Sequence, residues 1–238
     1  VTSGSTDSID EALKERNWTP GKDYAFSPVF YDFKEIKEFE NLKLDLILSS
    51  SDYPIKKNKQ RSSRLGGGLY LLKINSSRHT LKKVIEGSIR QFHYCEKDNL
   101  IYAIEYVKCE ILIINKNFKV QKRISLNINH MTGITVYKNH IIVMSSADDN
   151  FIFLNKNSGK IVKKVNFGKK SNSRQGLHHI NDCWVDDGNL YFSYFSKSGF
   201  WKNDIYDGGI SVLELDTDKI TDVVNNLFQP HTPTIINN

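Results

Sequence analysis

The chain has 238 residues, 39% hydrophobic and 11% aromatic, with a formal charge of +6. That balance suits one main packed β-rich domain and excludes a disordered or fibrous chain. No apolar run approaches the ~20 residues of a membrane span, and no signal-peptide-like apolar core occurs in these residues.

In residues 1–25, Ser5 or Asp7 reads as an N-cap. Ile9, Ala12 and Leu13 then form one apolar face of a helix ending near Asn17. With the TPGKDY that follows, this segment resembles the last βα unit of a nucleotide-binding-type α/β domain. Residues 1–25 are therefore read as the tail of an upstream domain and 26–43 as a linker. An ordinary N-terminal helix packed under the later strands is the alternative.

From residue 44 the pattern changes to short apolar runs separated by polar turns. The runs 69–75 (LYLLKIN), 109–115 (CEILIIN) and 150–156 (NFIFLNK) recur about every 40 residues, and 209–216 (GISVLELD) follows after a delay. Four strand signals in a period of about 40–45 residues mark a β-propeller blade. The first unit is partial, with strands at 45–50, 69–75 and 81–86 and an insertion at 51–65. The second has strands at 89–95, 99–107, 109–115 and 120–126, with turns at Glu96-Lys97-Asp98 and Asn117. The third repeats the plan at 132–137, 140–147, 150–155 and 160–166. In the fourth, 181–185 and 189–195 are joined by Asp186-Asp187-Gly188, a hairpin signal because Gly accepts positive φ. An insertion at 196–207 precedes the strands at 209–216 and 220–227. Both insertions sit between the second and third strands of a unit and end in glycines. Residues 231–238 (HTPTIINN) begin a further first strand, so 44–238 reads as a partial, all-β propeller of about four blades.

Three cysteines, an odd number without metal-type spacing, point to a reducing compartment, and a cytoplasmic location is expected. Cys95, Cys109 and Cys183 alternate with apolar strand residues and read as small core side chains. The positive charge suggests nucleic acid at first sight. The lysines are scattered through turns, however, and the Asn and Ile richness is that of an AT-rich genome. The one basic cluster, Lys56 to Arg64, lies in the first insertion. No specific nucleic-acid partner and no membrane partner is expected.

The innermost strand of each blade lines the central channel, so equivalent positions at its start converge. Aligning Ile89-Arg90, Met131-Thr132, Ile180-Asn181 and Thr232-Pro233 superposes Ser88, His130, His179 and His231. Three imidazoles then face one axis, with Asn181, Asp182, Thr132 and Arg90 just beyond. Imidazole, amide and carboxylate groups bind a divalent metal or move protons near neutral pH. His130, His179 and His231 are thus the candidate ligands of a divalent metal, the cofactor such donors would take. Histidines that only seal the channel mouth are the bland reading. His178 should turn toward the neighbouring blade, because side chains alternate along a strand.

The stretch HHINDCWVDDGNLYFSYF resembles the strand pair of six-bladed propellers of the gluconolactonase, strictosidine synthase and paraoxonase group. In that group an inner-strand Asn contacts a divalent metal or the substrate, which the resemblance assigns to Asn181. Glu86-Gly87 is similar to the group's metal-binding Glu-Gly, although its spacing to the strand aromatic differs. Over 176–235, HHINDCW, GGISVLELDT and QPHTPTI are similar to a set of uncharacterised bacterial propeller-like proteins. Those share an inner-strand His-x-Asn, a Gly-Gly and a Pro-His-[Ser/Thr]-Pro turn.

Three functions fit these residues. One is a metal- or histidine-using enzyme, a hydrolase or lactonase, acting on a small molecule or sugar in the channel. A second is a non-catalytic scaffold that binds a protein or glycan through loops 51–68 and 196–207, where Tyr53, Phe200, Trp201 and Tyr206 are suitable contact aromatics. The third is an accessory module of the upstream domain. A ligand pocket at the channel, catalytic or not, is the expectation that the polar cluster favours.

Overall fold

A computed structural model describes residues 43–51, 67–76, 78–168 and 176–235. The reading for 1–25, that for 26–43 apart from Lys43, Tyr53 and the basic cluster at 56–64 lie outside the described residues. Within them the chain is almost entirely β. Among the described residues the only helical turn is a 3₁₀ segment, Trp201–Asn203, inside the second insertion. Among the described residues no helix is long and apolar enough to cross a membrane.

Among the described residues, fifteen strands form four antiparallel meanders. Sheet I contains β1 (Lys43–Ser50), β2 (Gly68–Asn75) and β3 (Arg78–Glu86). Sheet II contains β4 (Ile89–Cys95), β5 (Leu100–Glu105), β6 (Glu110–Asn115) and β7 (Val120–Ser125). Sheet III contains β8 (Met131–Tyr137), β9 (His140–Ser145), β10 (Asn150–Asn155) and β11 (Ile161–Asn166). Sheet IV contains β12 (Ile180–Asp186), β13 (Asn189–Tyr194), β14 (Gly208–Glu214) and β15 (Ile220–Leu227). First strands pack on first strands, β4 on β8 and β8 on β12, which is the radial arrangement of propeller blades. Strand β1 packs on β4 as β5 packs on β8 and β9 on β12, so β1 holds a second-strand position. Both insertions then do follow a second strand.

The residue pattern follows from where each strand sits. Strands β5, β6, β9 and β10 are buried on both faces, since their sheets are sandwiched between neighbours. That is why LIYAIE, EILIIN, HIIVMS and NFIFLN are nearly continuous apolar runs rather than alternating ones. The outer strand β7 (VQKRIS) exposes Gln121, Arg123 and Ser125, whereas β11 (IVKKVN) exposes Ile161 and Val162 as well as Lys164 and Asn166. Three apolar layers fill the gaps between sheets. One joins Ile89 and Leu69, one Ile104 and Ile134, and one Met144, Phe151 and Phe192. Cys183 is buried in the last layer and Cys95 and Cys109 pack at the edge of the second, as small core side chains should. Gly133 lets β8 approach β12 closely, because a Cβ there would meet Met144 Sδ at 2.8 Å and the Asn181 carbonyl at 3.1 Å.

Among the described residues of 231–238, the expected further first strand is not formed. Residues 231–235 have no strand partner, and Pro233, not Thr232, is the buried anchor equivalent to Ile89, Met131 and Ile180. Thr232 has the positive φ (48°) that His130 and His179 show at the start of β8 and β12. His231 therefore sits one position earlier than the sequence alignment places it.

Candidate functional site

Each first strand begins the same way. A buried anchor (Ile89, Met131 or Ile180) is followed at once by a β-bulge, where one extra residue opposes the partner strand. Bulges re-aim side chains and strengthen local twist. Here they fall at Arg90, Thr132 and Asn181-Asp182, at one end of the channel. His130 and His179, just before the anchors, have φ of 50° and 53°, the left-handed region in which His is among the enriched residues.

A carboxylate holds each of two of these starts. Glu105 accepts the Ser88 N–H at 2.9 Å. Asp149 accepts the N–H groups of Leu177 (2.6 Å), His178 (3.0 Å) and Ile180 (3.4 Å). Burial pushes the Asp149 carboxyl up, while those N–H bonds and His178 act the other way. His178 is buried with its ring 5.0 Å from Phe167 of sheet III, turned toward the neighbouring blade as expected. Its Nδ1 lies 2.9 Å from the Ser196 carbonyl, to which it donates.

An antiparallel meander puts the end of a second strand beside the start of the first. The insertion after β13 accordingly folds over His179. Asp207 ties the loop by accepting from Ser196 Oγ at 2.6 Å, Ser198 N at 3.0 Å and Ser198 Oγ at 3.2 Å. The short 3₁₀ turn then presents Trp201 and Lys202. Trp201 Nε1 donates to the Gly176 carbonyl at 3.0 Å, and its ring centroid is 4.6 Å from that of His179. Phe195 lies 4.3 Å from His179 on a tilted face, and 5.2 Å from His231. A cavity of about 470 Å³ opens here, lined by His130, Ser146, Ala147, Gly176, His179, Trp201 and Lys202.

The remaining groups ring this cavity. The Asn181 amide nitrogen faces His231 Nδ1 at 2.6 Å. The Tyr106 hydroxyl is 2.7 Å from His130 Nδ1, and the Arg90 guanidinium lies 5.0 Å over the Tyr106 ring. Burial, then the charges of Arg90, His231, His130 and Lys202, lower His179 to about 4. Burial likewise lowers His231, with Asp182 opposing and Arg90 adding to the effect.

Sequence-expected residues divide into those joined here and those elsewhere. His130, His179, His231, Asn181 and Arg90 are linked through these contacts. The three imidazoles do not form a metal centre, however. They reach one region but not one point, because Tyr106 lies against His130 and Asn181 against His231. Among the described residues no group of three or more His, Cys, Asp or Glu side chains is set to hold an ion. Asp182 hydrogen-bonds the Gln91 amide and accepts from its neighbour Cys183 N at 2.8 Å, so its carboxylate is used across the channel. Thr132 donates to the Ile180 carbonyl at 3.1 Å, a bond between first strands. Glu86 pairs with Lys83 at 3.1 Å and makes none of the contacts that join the site. Phe200 is 54% exposed, and Tyr206 stacks edge-on with Phe228 rather than with the site. Sequence reasoning missed Lys202, Phe195, Tyr106, Ser146, Ala147 and Gly176 as site residues. The adjacency of strand ends in a meander is the signal that finds Phe195 and Lys202.

No family model and no curated protein matches the chain. The resemblances of 176–235 therefore remain resemblances of motif. Among solved structures, a protein of unknown function from Bacteroides caccae is similar, with TM-score 0.47 and 17% identity over 66% of this chain. Apo AztD from Citrobacter koseri is similar with TM-score 0.45 and 16% identity over 68% of this chain. The chain spans 59% and 43% of the lengths of those two proteins, and likeness at this level carries no functional argument.

Proposed function

We propose that the protein binds a small organic molecule in the cavity where sheets III and IV meet at the channel mouth. The supporting observation is the convergence of His130 from one sheet with His179, Trp201 and Lys202 from the next around one space of about 470 Å³. That volume is in the range of ordinary ligand sites, and apolar walls with a few convergent polar groups are their usual make-up. Trp201 and Ala147 supply apolar walls, while the imidazoles and Ser146 supply hydrogen-bonding groups. The role assigned is binding, with no residue given a catalytic part.

The scaffold reading is weaker on one observation. Trp201, the largest aromatic of the second insertion, is turned inward against His179 and the Gly176 carbonyl rather than outward to a partner. NMR of His-labelled protein, titrated with monosaccharides and small organic acids, tests the proposal. A bound solute moves the His130 and His179 Cε1 signals together while those of His79 and His140 stay still. His179→Ala removes that response and changes stability by no more than about 1 kcal/mol, as for a half-exposed site residue. Solutes that bind without touching the His179 signal would place the ligand elsewhere.

A further inference from the structure

The cavity walls have an uneven charge. His130, His179 and Lys202 line it, and the lining contains no Asp or Glu. Arg90 stands behind His130, stacked on the Tyr106 ring whose hydroxyl touches the His130 imidazole. Three nearby acidic groups accept from donors outside the lining. Asp149 takes three backbone N–H groups, Asp182 takes Gln91 and Cys183 N, and Asp207 takes Ser196 and Ser198. Ala147 and the Trp201 ring supply the apolar part of the lining. A space of about 470 Å³ is far larger than a bare inorganic anion needs.

Resting on the pocket reading above, we infer that the ligand is a small organic anion: a carboxylate or phosphate head held among Lys202, His130 and His179, joined to a ring that lies against Trp201. An ammonium beside an apolar wall favours such a head through charge-assisted hydrogen bonds, and the Arg90 guanidinium behind His130 adds positive charge at longer range. Burial is the larger cause of the low affinity of His179 for its own proton; the second, the positive charge of Arg90 and, more weakly, Lys202, has the sign that attracts an anion.

Matched probes isolate the charge. The 238-residue chain is titrated with benzoate and benzamide, with D-glucuronate and D-glucuronamide, and with phenyl phosphate. Binding is followed by the His179 Cε1 signal and by Trp201 fluorescence. Each acid that binds is expected to do so about tenfold more tightly than its amide, and to weaken as salt rises. Lys202→Gln, at an exposed position, should shrink that ratio to about threefold or less by weakening the acid more than the amide. The phenyl phosphate arm separates the two head groups, the tighter of it and benzoate naming the native one. An amide that binds as well as its acid, with His179 responding, keeps the pocket reading and overturns the anion assignment. If none of the five probes moves the His179 signal at about 50 mM, well above a millimolar Kd, both readings fall.

Discussion

Sheets III and IV place a histidine at the same point and treat it differently. His130 and His179 each precede a buried anchor and a bulge, with nearly equal φ of 50° and 53°. After β9 the chain turns through Ala147 and Asp148 straight into β10. After β13, residues 196–207 intervene and lay Trp201 on His179. His130 consequently stays exposed, whereas His179 is partly buried and lowered to about 4. A repeat sets where a side chain starts, and the connection beside it sets what surrounds that side chain.

The sharpest way to break this comparison is to make sheet IV like sheet III. Replacing 197–206 by a two-residue Asn-Gly turn keeps Ser196, whose carbonyl accepts from His178. Ligand binding should then disappear, and the His179 pKa should climb back toward the ordinary value near 6.5, read by NMR titration. A value that stays low would mean that the strand, not the loop, depresses it.

A smaller effect is expected at the joint between the two sheets. Asp149→Ala strips the acceptor from three backbone N–H groups at the start of β12, a cost of about 2–4 kcal/mol in chemical denaturation. Glu105→Ala, at the corresponding start of β4, strips those of Ser88 and Lys108 and should cost less. Equal losses would show that the two starts are held alike.

The smallest effect is a pH dependence. His179 has a folded pKa of about 4, below its value near 6.5 in the unfolded chain. Between those values the unfolded chain binds the proton and the folded one does not, so stability rises with pH across that window. The contribution is complete above about pH 6.5 and lost as the pH falls through about 4. The stability difference between wild type and His179→Gln should therefore shrink from neutral pH to about pH 4. A flat difference would detach His179 from the charges around it.

Most of the fold is legible in the strand runs, because a sheet covered on both faces demands apolar residues at every central position. Ile111 to Ile114 and Ile141 to Met144 display that demand directly. His130, His179 and Asn181 are legible as neighbours once the repeats are superposed. The register fails at His231, where positive φ at Asn226, Gln229 and Thr232 takes the chain through turns that no repeat arithmetic contains. Trp201 was legible only as a loop aromatic, since nothing local says that its indole donates to the Gly176 carbonyl. His130, His179 and His231 likewise share a repeat position without being grouped as three donors around one point. Superposition reports shared position, whereas coordination depends on where each ring nitrogen is already engaged.

Gly176 carries a consequence of its own. A methyl group there would collide with the Ser146 carbonyl, and the residue's own carbonyl receives the indole of Trp201. Three segments, from the turn after β9, the approach to β12 and the second insertion, thus meet at one atom-sized gap. A guest in the adjoining cavity touches the same three segments, so its arrival acts as a mechanical strut between neighbouring units. Such a strut would slow their separation under load or heat, with amide exchange of β9 and β13 falling in concert.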